Sequence, residues 1–292
     1  MNGQLKYNLL ALFTVMVWGT TFVSTKILLA DGLTPSWIFI SRFAIAYLCI
    51  LSLCHKRLWS DSVKDELFML ALGLTGGSLY FIMENTALQY TFASNVSLII
   101  CAAPILTMSL NALIFKQRFT LKAAIGSVFA LFGVVIVVLN GSLNFGLNPL
   151  GDCLTLLAAL LWAIYCMLLK YMNSRYSNLF ITRKVFFYGL STALLFCVFE
   201  PLPDIVPPVP IFRIVANLLF LVIIASFLCY LIWNQAVKVL GPNRTANYIY
   251  FSPFITIVSS SIILDEPVTL SLIAGGAIII SGVYLTSDSH GN

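Results

Sequence analysis

Three ionisable side chains, Lys26, Arg42 and Glu84, stand inside otherwise unbroken apolar runs, and chemistry in this chain is to be sought there first. An ionisable group in hydrocarbon costs about 3 kcal/mol or more unless it meets a partner or a water-filled cavity, which makes each one a functional candidate. Glu84 is the one acidic residue inside a span, about four residues from the span's end, or ~6 Å at 1.5 Å per residue. Lys26 lies about three residues from the end of the first run and Arg42 about seven residues into the second, which places all three in the same half of the membrane. Two readings stay open. In one, the three form a salt-bridged cluster that neutralises itself and ties helices together. In the other, Glu84 binds a substrate ammonium group or exchanges a proton during transport, while Lys26 snorkels to the surface.

Around these charges the chain places amphipathic side chains at unusual depth. Trp18, Trp162, Tyr165, Trp233, Tyr248 and Tyr250 fall within or near the middle of apolar runs, whereas Trp and Tyr ordinarily gather at membrane interfaces. Either they pack against lipid or they form a cavity wall able to stack on a solute. Tyr80 lies one turn before Glu84, and Thr21, Asn85, Asn95, Asn234 and Asn247 add polar groups. Buried amides must find partners, so the asparagines read either as glue between helices or as substrate contacts. Pro104 and Pro253 interrupt the backbone ladder near the middle of their spans and are expected to act as hinges.

Other chemistries find no support. The two histidines, His55 and His290, lie outside the apolar runs, and neither an H-E-x-x-H nor a G-x-S-x-G motif occurs. There is no P-loop, and there are no charge rings or filter repeats of a channel. Seven scattered cysteines without a C-x-x-C pair indicate neither a disulfide framework nor a metal site. No enzyme, cofactor or metal is therefore expected.

The elements that must position these residues follow from composition. Of 292 residues, 60% are apolar and only 9% charged, with a mean hydropathy of +0.98. A soluble domain carries roughly 25% charge; this chain cannot cover a water-facing surface, and a nucleic-acid partner is excluded with it. Ten runs are long enough to span a bilayer as helices: 8–29, 35–54, 67–88, 92–115, 122–140, 152–171, 182–199, 214–237, 244–264 and 270–286. The first is too long for a signal-peptide core and reads as a retained span. With the N-terminus inside, the inner segments hold 13 of the 16 Lys and Arg while the outer loops hold only Arg213, so both termini are expected in the cytoplasm.

The two halves repeat. At a shift of 149, Asn85 falls on Asn234, Ala87 on Ala236, Pro104 on Pro253, Gly126 on Gly275 and Gly133 on Gly282; at 144, Trp18 falls on Trp162 and Lys26 on Lys170. Five spans is an odd number, so the second copy must be inverted, as the basic Lys116-Gln117-Arg118 and its acidic counterpart Asp265-Glu266-Pro267 agree. The glycine pairs, each spaced by seven, put a small face toward a neighbouring helix.

With Trp18-Gly19 and Phe22, the segment Asn85–Leu88, Pro104 and Pro253, Asp265-Glu266-Pro267 and the paired glycines in this order, the chain resembles the drug/metabolite transporter superfamily in its ten-helix EamA-type branch. The resemblance covers nearly the whole chain. It departs at Lys116-Gln117, where the family usually carries Gly-Glu. It implies an all-α integral membrane protein built as a 5+5 inverted-repeat bundle, with repeats at 1–141 and 142–292. It further implies a central cavity lined mainly by spans one, three, four, six, eight and nine, and a small-metabolite cargo, often an amino acid, usually moved outward.

The resulting expectation is a multi-pass secondary transporter of the bacterial cytoplasmic (inner) membrane. It would export an amino acid or related amphipathic compound by alternating access, with proton coupling resting on Glu84 alone. The expected partners are that solute and membrane lipid, and the chain acts as a monomer. A flippase for a lipid or lipid-linked sugar is the alternative, since the same superfamily includes such carriers. Substrate contacts are expected from Trp18, Thr21, Tyr80, Glu84, Asn85, Asn95, Trp162, Tyr165, Trp233, Asn234, Asn247 and Tyr248.

Overall fold

Because hydrocarbon offers the backbone no hydrogen-bond partner, the apolar runs satisfy themselves as helices. A computed structural model describes residues 3–55, 58–115, 121, 125–126, 128–129, 132–133, 135–136, 149–204 and 210–287. Among the described residues there is no strand. Nine long helical segments among the described residues carry the fold: α1 (Gly3–Ala30), α2 (Pro35–Leu53), α3 (Val63–Tyr90), α4 (Ala93–Ile100 resuming as Ala103–Phe115), α5 (Pro149–Asn173), α6 (Asn178–Cys197), α7 (Ile211–Leu240), α8 (Pro242–Ile263) and α9 (Leu270–Ser287). The first eight are long and apolar enough to cross a membrane. Most of the expected span 122–140 lies outside the described residues. Side chains exposed along the bundle, such as Leu48, Phe132, Leu195 and Val258, are apolar, as a lipid-facing surface requires.

Several helices start earlier than their apolar runs, because capping residues carry them into the interface. Ser62 accepts a hydrogen bond from the Asp65 N–H (3.1 Å) and starts α3 four residues before the hydrophobic stretch; Ser177 does the same for α6 through Phe180 N–H (3.3 Å).

The helices pack mainly across the two halves of the chain. α3 packs on α5 and α6, α2 on α6 and α7, α1 on α7 and α8, and α4 on α5 and α8. Exchanging each of these helices with the one four labels away leaves that pattern unchanged. Small residues permit the closest crossings. A Cβ on Gly19 would come within 2.8 Å of the Ser252 carbonyl oxygen, and one on Gly133 within 2.7 Å of the Gly275 carbonyl oxygen. Ion pairs tie the helix ends: Asp31 with Arg213, Glu66 with Lys184, Asp65 with Arg175, and Lys26 with Glu266; the Tyr188 and Tyr176 hydroxyls donate hydrogen bonds to Glu66 and Asp65.

Four helices are irregular, and at corresponding places. Residues Leu74–Ser78 of α3 and Phe220–Leu228 of α7 are wound as π-helix, with Gly77 at φ −128°, ψ −109°. α4 breaks at 101–102, and α8 passes through a 3-10 segment, Asn247–Phe251. Pro104 and Pro253 thus do not kink a continuous helix as expected. Each is the second residue of the helix that follows the interruption, where a missing N–H goes unspent. The two interruptions face each other, with Cys101 Sγ 3.9 Å from the Ile249 carbonyl oxygen.

Candidate substrate cavity

The central cavity opens where the interrupted helices meet. It is a narrow space of about 40 Å³, walled by Val15, Trp18, Thr21 and Phe22 of α1, Arg42 of α2, Tyr80, Phe81 and Glu84 of α3, Ile100 of α4, Trp162 of α5, Tyr230 of α7, and Ile249 and Ser252 of α8. The contributing helices are the six implied by the resemblance, joined by α2 through Arg42.

An aromatic box forms one side. The Trp18 ring lies 5.3 Å from Trp162 and 5.0 Å from Trp233 between centroids, and Tyr80 lies 5.0 Å from Trp162. Such edge-to-face and tilted pairs fix the rings and present faces to a solute. Trp18 is further held by its Nε1–H, which donates to the Ala225 carbonyl in the π-turn of α7 (3.0 Å). Tyr230 donates its hydroxyl proton to the Gly76 carbonyl in the π-turn of α3. Each irregular turn therefore hands a freed carbonyl to a ring of the box.

The same cavity wall carries charge. Glu84 and Arg42 are 3% and 1% exposed, on α3 and α2. Tyr80 stands one turn below Glu84, its hydroxyl within reach of the carboxylate. Arg42 donates through Nε to Ser226 Oγ, and its guanidinium carbon sits 4.5 Å from the centre of the Phe81 ring.

Of the expected substrate contacts, the structure brings Trp18, Thr21, Tyr80, Glu84 and Trp162 into the cavity wall. Tyr165 and Trp233 stand behind them, Tyr165 donating to Asn234 Oδ1 (2.6 Å). The asparagines are committed elsewhere. Asn85 Nδ2 donates to the Pro35 carbonyl (3.1 Å), Asn95 Nδ2 to Thr91 Oγ1 (3.3 Å) and Asn234 Nδ2 to Thr182 Oγ1 (2.9 Å). Asn247 and Tyr248 lie in the 3-10 segment, outside the wall. Lys26 does not join Glu84 and Arg42: its ammonium group is held by Glu266 (3.0 Å) and the Thr91 carbonyl (2.8 Å). The reason is that Glu266, 240 residues away, folds over the end of α1. The wall also includes Phe81, Tyr230 and Ser252, which sequence reasoning missed. Tyr230 is the 149-residue counterpart of Phe81 and lies three residues before Trp233, so the repeat itself carried the signal.

A membrane bundle whose interrupted helices meet at a partly polar central cavity has the architecture of a secondary transporter. The chain belongs to the EamA-like transporter family, whose model matches residues 5–139 and again 149–288. Two proteins of Archaeoglobus fulgidus, each named uncharacterized transporter, are 28% and 29% identical to it over 284 and 286 residues, covering 96% and 97% of this chain and 98% and 97% of theirs. A protein of Streptantibioticus cattleyicolor named probable terminal-alkyne amino-acid exporter is 26% identical over 274 residues, covering 93% of this chain and 90% of its own. A solved crystal structure superposes with a TM-score of 0.65 over 97% of each chain at 18% identity, a likeness of fold.

Proposed function

We propose that the protein exports a small amphipathic metabolite, an amino acid or a related compound, from a bacterial cell. It works by alternating access of two inverted five-helix repeats, 1–141 and 142–292, with both termini in the cytoplasm. The observation that carries this reading is the cavity itself: a buried carboxylate and an aromatic box share one wall where four irregular helices meet. Residues that bond elsewhere, the three asparagines among them, serve as supports. The double family match and the exchange pattern of helix contacts support the repeats. The name of the S. cattleyicolor relative supports the cargo class and the direction.

Glu84 is read as the group that holds either the substrate's ammonium or a proton. Because one carboxylate cannot hold both, outward movement of substrate is exchanged for inward movement of a proton. Broken helices at 101–102 and 247–251 supply the bending points, with Pro104 and Pro253 fixing where the second half-helices begin. The protein needs no cofactor for this, acts as a monomer in the cytoplasmic membrane, and catalyses no covalent step.

The test is counterflow in proteoliposomes with a panel of amino acids, with and without a pH gradient. Wild type is expected to exchange at least one amphipathic amino acid faster under the gradient, and Glu84→Gln to lose most of that rate and its gradient response. A Glu84→Gln variant with normal rate and normal response removes this carboxylate from the mechanism. Lipid translocation without amino-acid exchange favours a flippase, for which the apolar groove between α4, α8 and α9 is the supporting feature.

A further inference from the structure

Arg42 carries an unspent donor. Its Nε is bonded to Ser226, and its guanidinium lies against Phe81 (4.5 Å) and Phe43 (5.7 Å), so the group is held in one orientation. Yet Nη1 is buried and has no hydrogen-bond partner. Nor does Arg42 neutralise Glu84 directly. Their charges act on each other, but no ion pair within 4.0 Å forms between them. A second buried donor on the same wall, Trp162 Nε1, is also without a partner.

A buried guanidinium with a free N–H is costly unless something fills it, and opposite charges sharing a cavity would ordinarily close on each other. Here Ser226 and the two phenylalanine rings hold one charge back on α2 while α3 carries the other. Both charges line one cavity together with Tyr80, Phe81 and Trp162, and no ion pair closes the gap between them.

We propose that this gap is a zwitterion site: Arg42, with help from Trp162 Nε1, receives the carboxylate of an α-amino acid whose ammonium group rests on Glu84. The inference builds on the reading of Glu84 given above and narrows the cargo. It requires a free carboxylate as well as a free amine, which excludes simple amines, amino-acid esters and neutral lipids. The aromatic box then receives the side chain, favouring apolar and aromatic amino acids.

Equilibrium binding to the purified full-length protein in lipid nanodiscs tests this with three probes: phenylalanine, phenethylamine, which lacks the carboxylate, and 3-phenylpropionate, which lacks the amine. Wild type is expected to bind phenylalanine about 10–100-fold more tightly than either truncated probe, the worth of one charge-assisted hydrogen bond. Arg42→Gln should abolish the preference, so that within this variant phenylalanine binds no more tightly than phenethylamine. Arg42→Lys, which keeps the charge, should retain part of the preference. Equal binding of phenylalanine and phenethylamine by wild type overturns the carboxylate site alone and leaves the ammonium reading standing. A folded Arg42→Gln variant that weakens all three probes equally also overturns it. If Arg42→Gln fails to fold, the three-probe comparison on wild type decides by itself. Failure of all three probes to bind overturns both this site and the amphipathic-cargo reading beneath it.

Discussion

Asn85 and Asn234 hold matching positions in the two halves but do unequal work. Asn234 is fully buried and joins three helices, accepting from Tyr165 of α5 (2.6 Å) and donating to Thr182 of α6 (2.9 Å). Asn85 makes one bond, to the Pro35 carbonyl, and Asn95 bonds only within its own helix and the turn before it. Interhelical side-chain hydrogen bonds in membranes are worth about 0.6 kcal/mol each and at most about 1.7. Asn234→Leu should therefore cost about 1–3 kcal/mol, Asn85→Leu about half of that, and Asn95→Leu little. Unfolding titrations in mixed micelles measure the order directly, and equal costs at 95 and 234 would show that these bonds do not hold the bundle. At this scale the chain makes plain which residues are unusual and hides what they touch. Residue type flags a buried amide, but whether it faces a cavity or a neighbouring helix depends on helix rotation, which a nearly uniform apolar run does not specify. Arg42 is the converse case: spacing allows a salt bridge with Glu84, and Ser226, 184 residues away, takes the guanidinium instead.

Among the elements, the join between α1, α4 and the connection after α8 rests on one carboxylate. Glu266 accepts from Ala93 N–H (2.8 Å), Ser94 N–H (3.1 Å), Ser94 Oγ–H (2.9 Å) and Lys26 Nζ (3.0 Å). It thus caps the N-terminus of α4 while pinning the far end of α1. Burial disfavours its charge, but the Ala93 N–H and the Lys26 ammonium outweigh that and hold its pKa below the usual carboxylate range. A folded-state pKa lower than the unfolded one adds stability that is complete above the unfolded value, near 4.3, and is lost as pH falls through the folded one. Glu266→Gln should lower stability by about 2 kcal/mol at pH 7, the worth of charge-assisted bonds lost, with the deficit shrinking below about pH 4. Thermal melts of both proteins across roughly pH 3.5–7.5 follow it, and a deficit constant over that range would mean the carboxylate charge is not what secures the join. Helix existence is plain from run length, but the π-turns and breaks are not. They depend on which carbonyl a tertiary partner takes, as Tyr230 takes that of Gly76, and hydropathy is blind to this. Gly76-Gly77 and the two prolines are the only local signs that the chain offers.

For the molecule as a whole, charge placement in the chain carries most of the argument about orientation. The ties Asp65–Arg175 and Glu66–Lys184 gather at one end of the bundle, near the connections 54–62 and 174–177, while Asp31–Arg213, Lys26–Glu266 and the Glu200 bond to Ser36 (2.7 Å) gather at the other. The first end is rich in Lys and Arg, the second in Asp and Glu, and this asymmetry, under the positive-inside rule, is the basis for the orientation proposed above, with the Arg175 end in the cytoplasm. Loop charge alone makes this orientation legible, because insertion responds to it and not to packing. What the chain's linear order does not disclose is how far the halves interdigitate, with α1 packed on α7 and α8 and α3 on α5 and α6. In the alternating access proposed above, such exchange would let one rocking motion close one end while opening the other, and orientation would decide which end releases cargo. On a cysteine-free background, Asp204→Cys should react with a membrane-impermeant maleimide in intact cells, and Arg175→Cys only after permeabilisation. The seven native cysteines are replaceable for this purpose, since none is disulfide-bonded. The reverse pattern would invert the molecule, and with it the direction in which the cavity delivers its substrate. Labelling at both positions in intact cells would instead break the assignment of loops to sides, because those two positions are separated by a single membrane-spanning helix, α6.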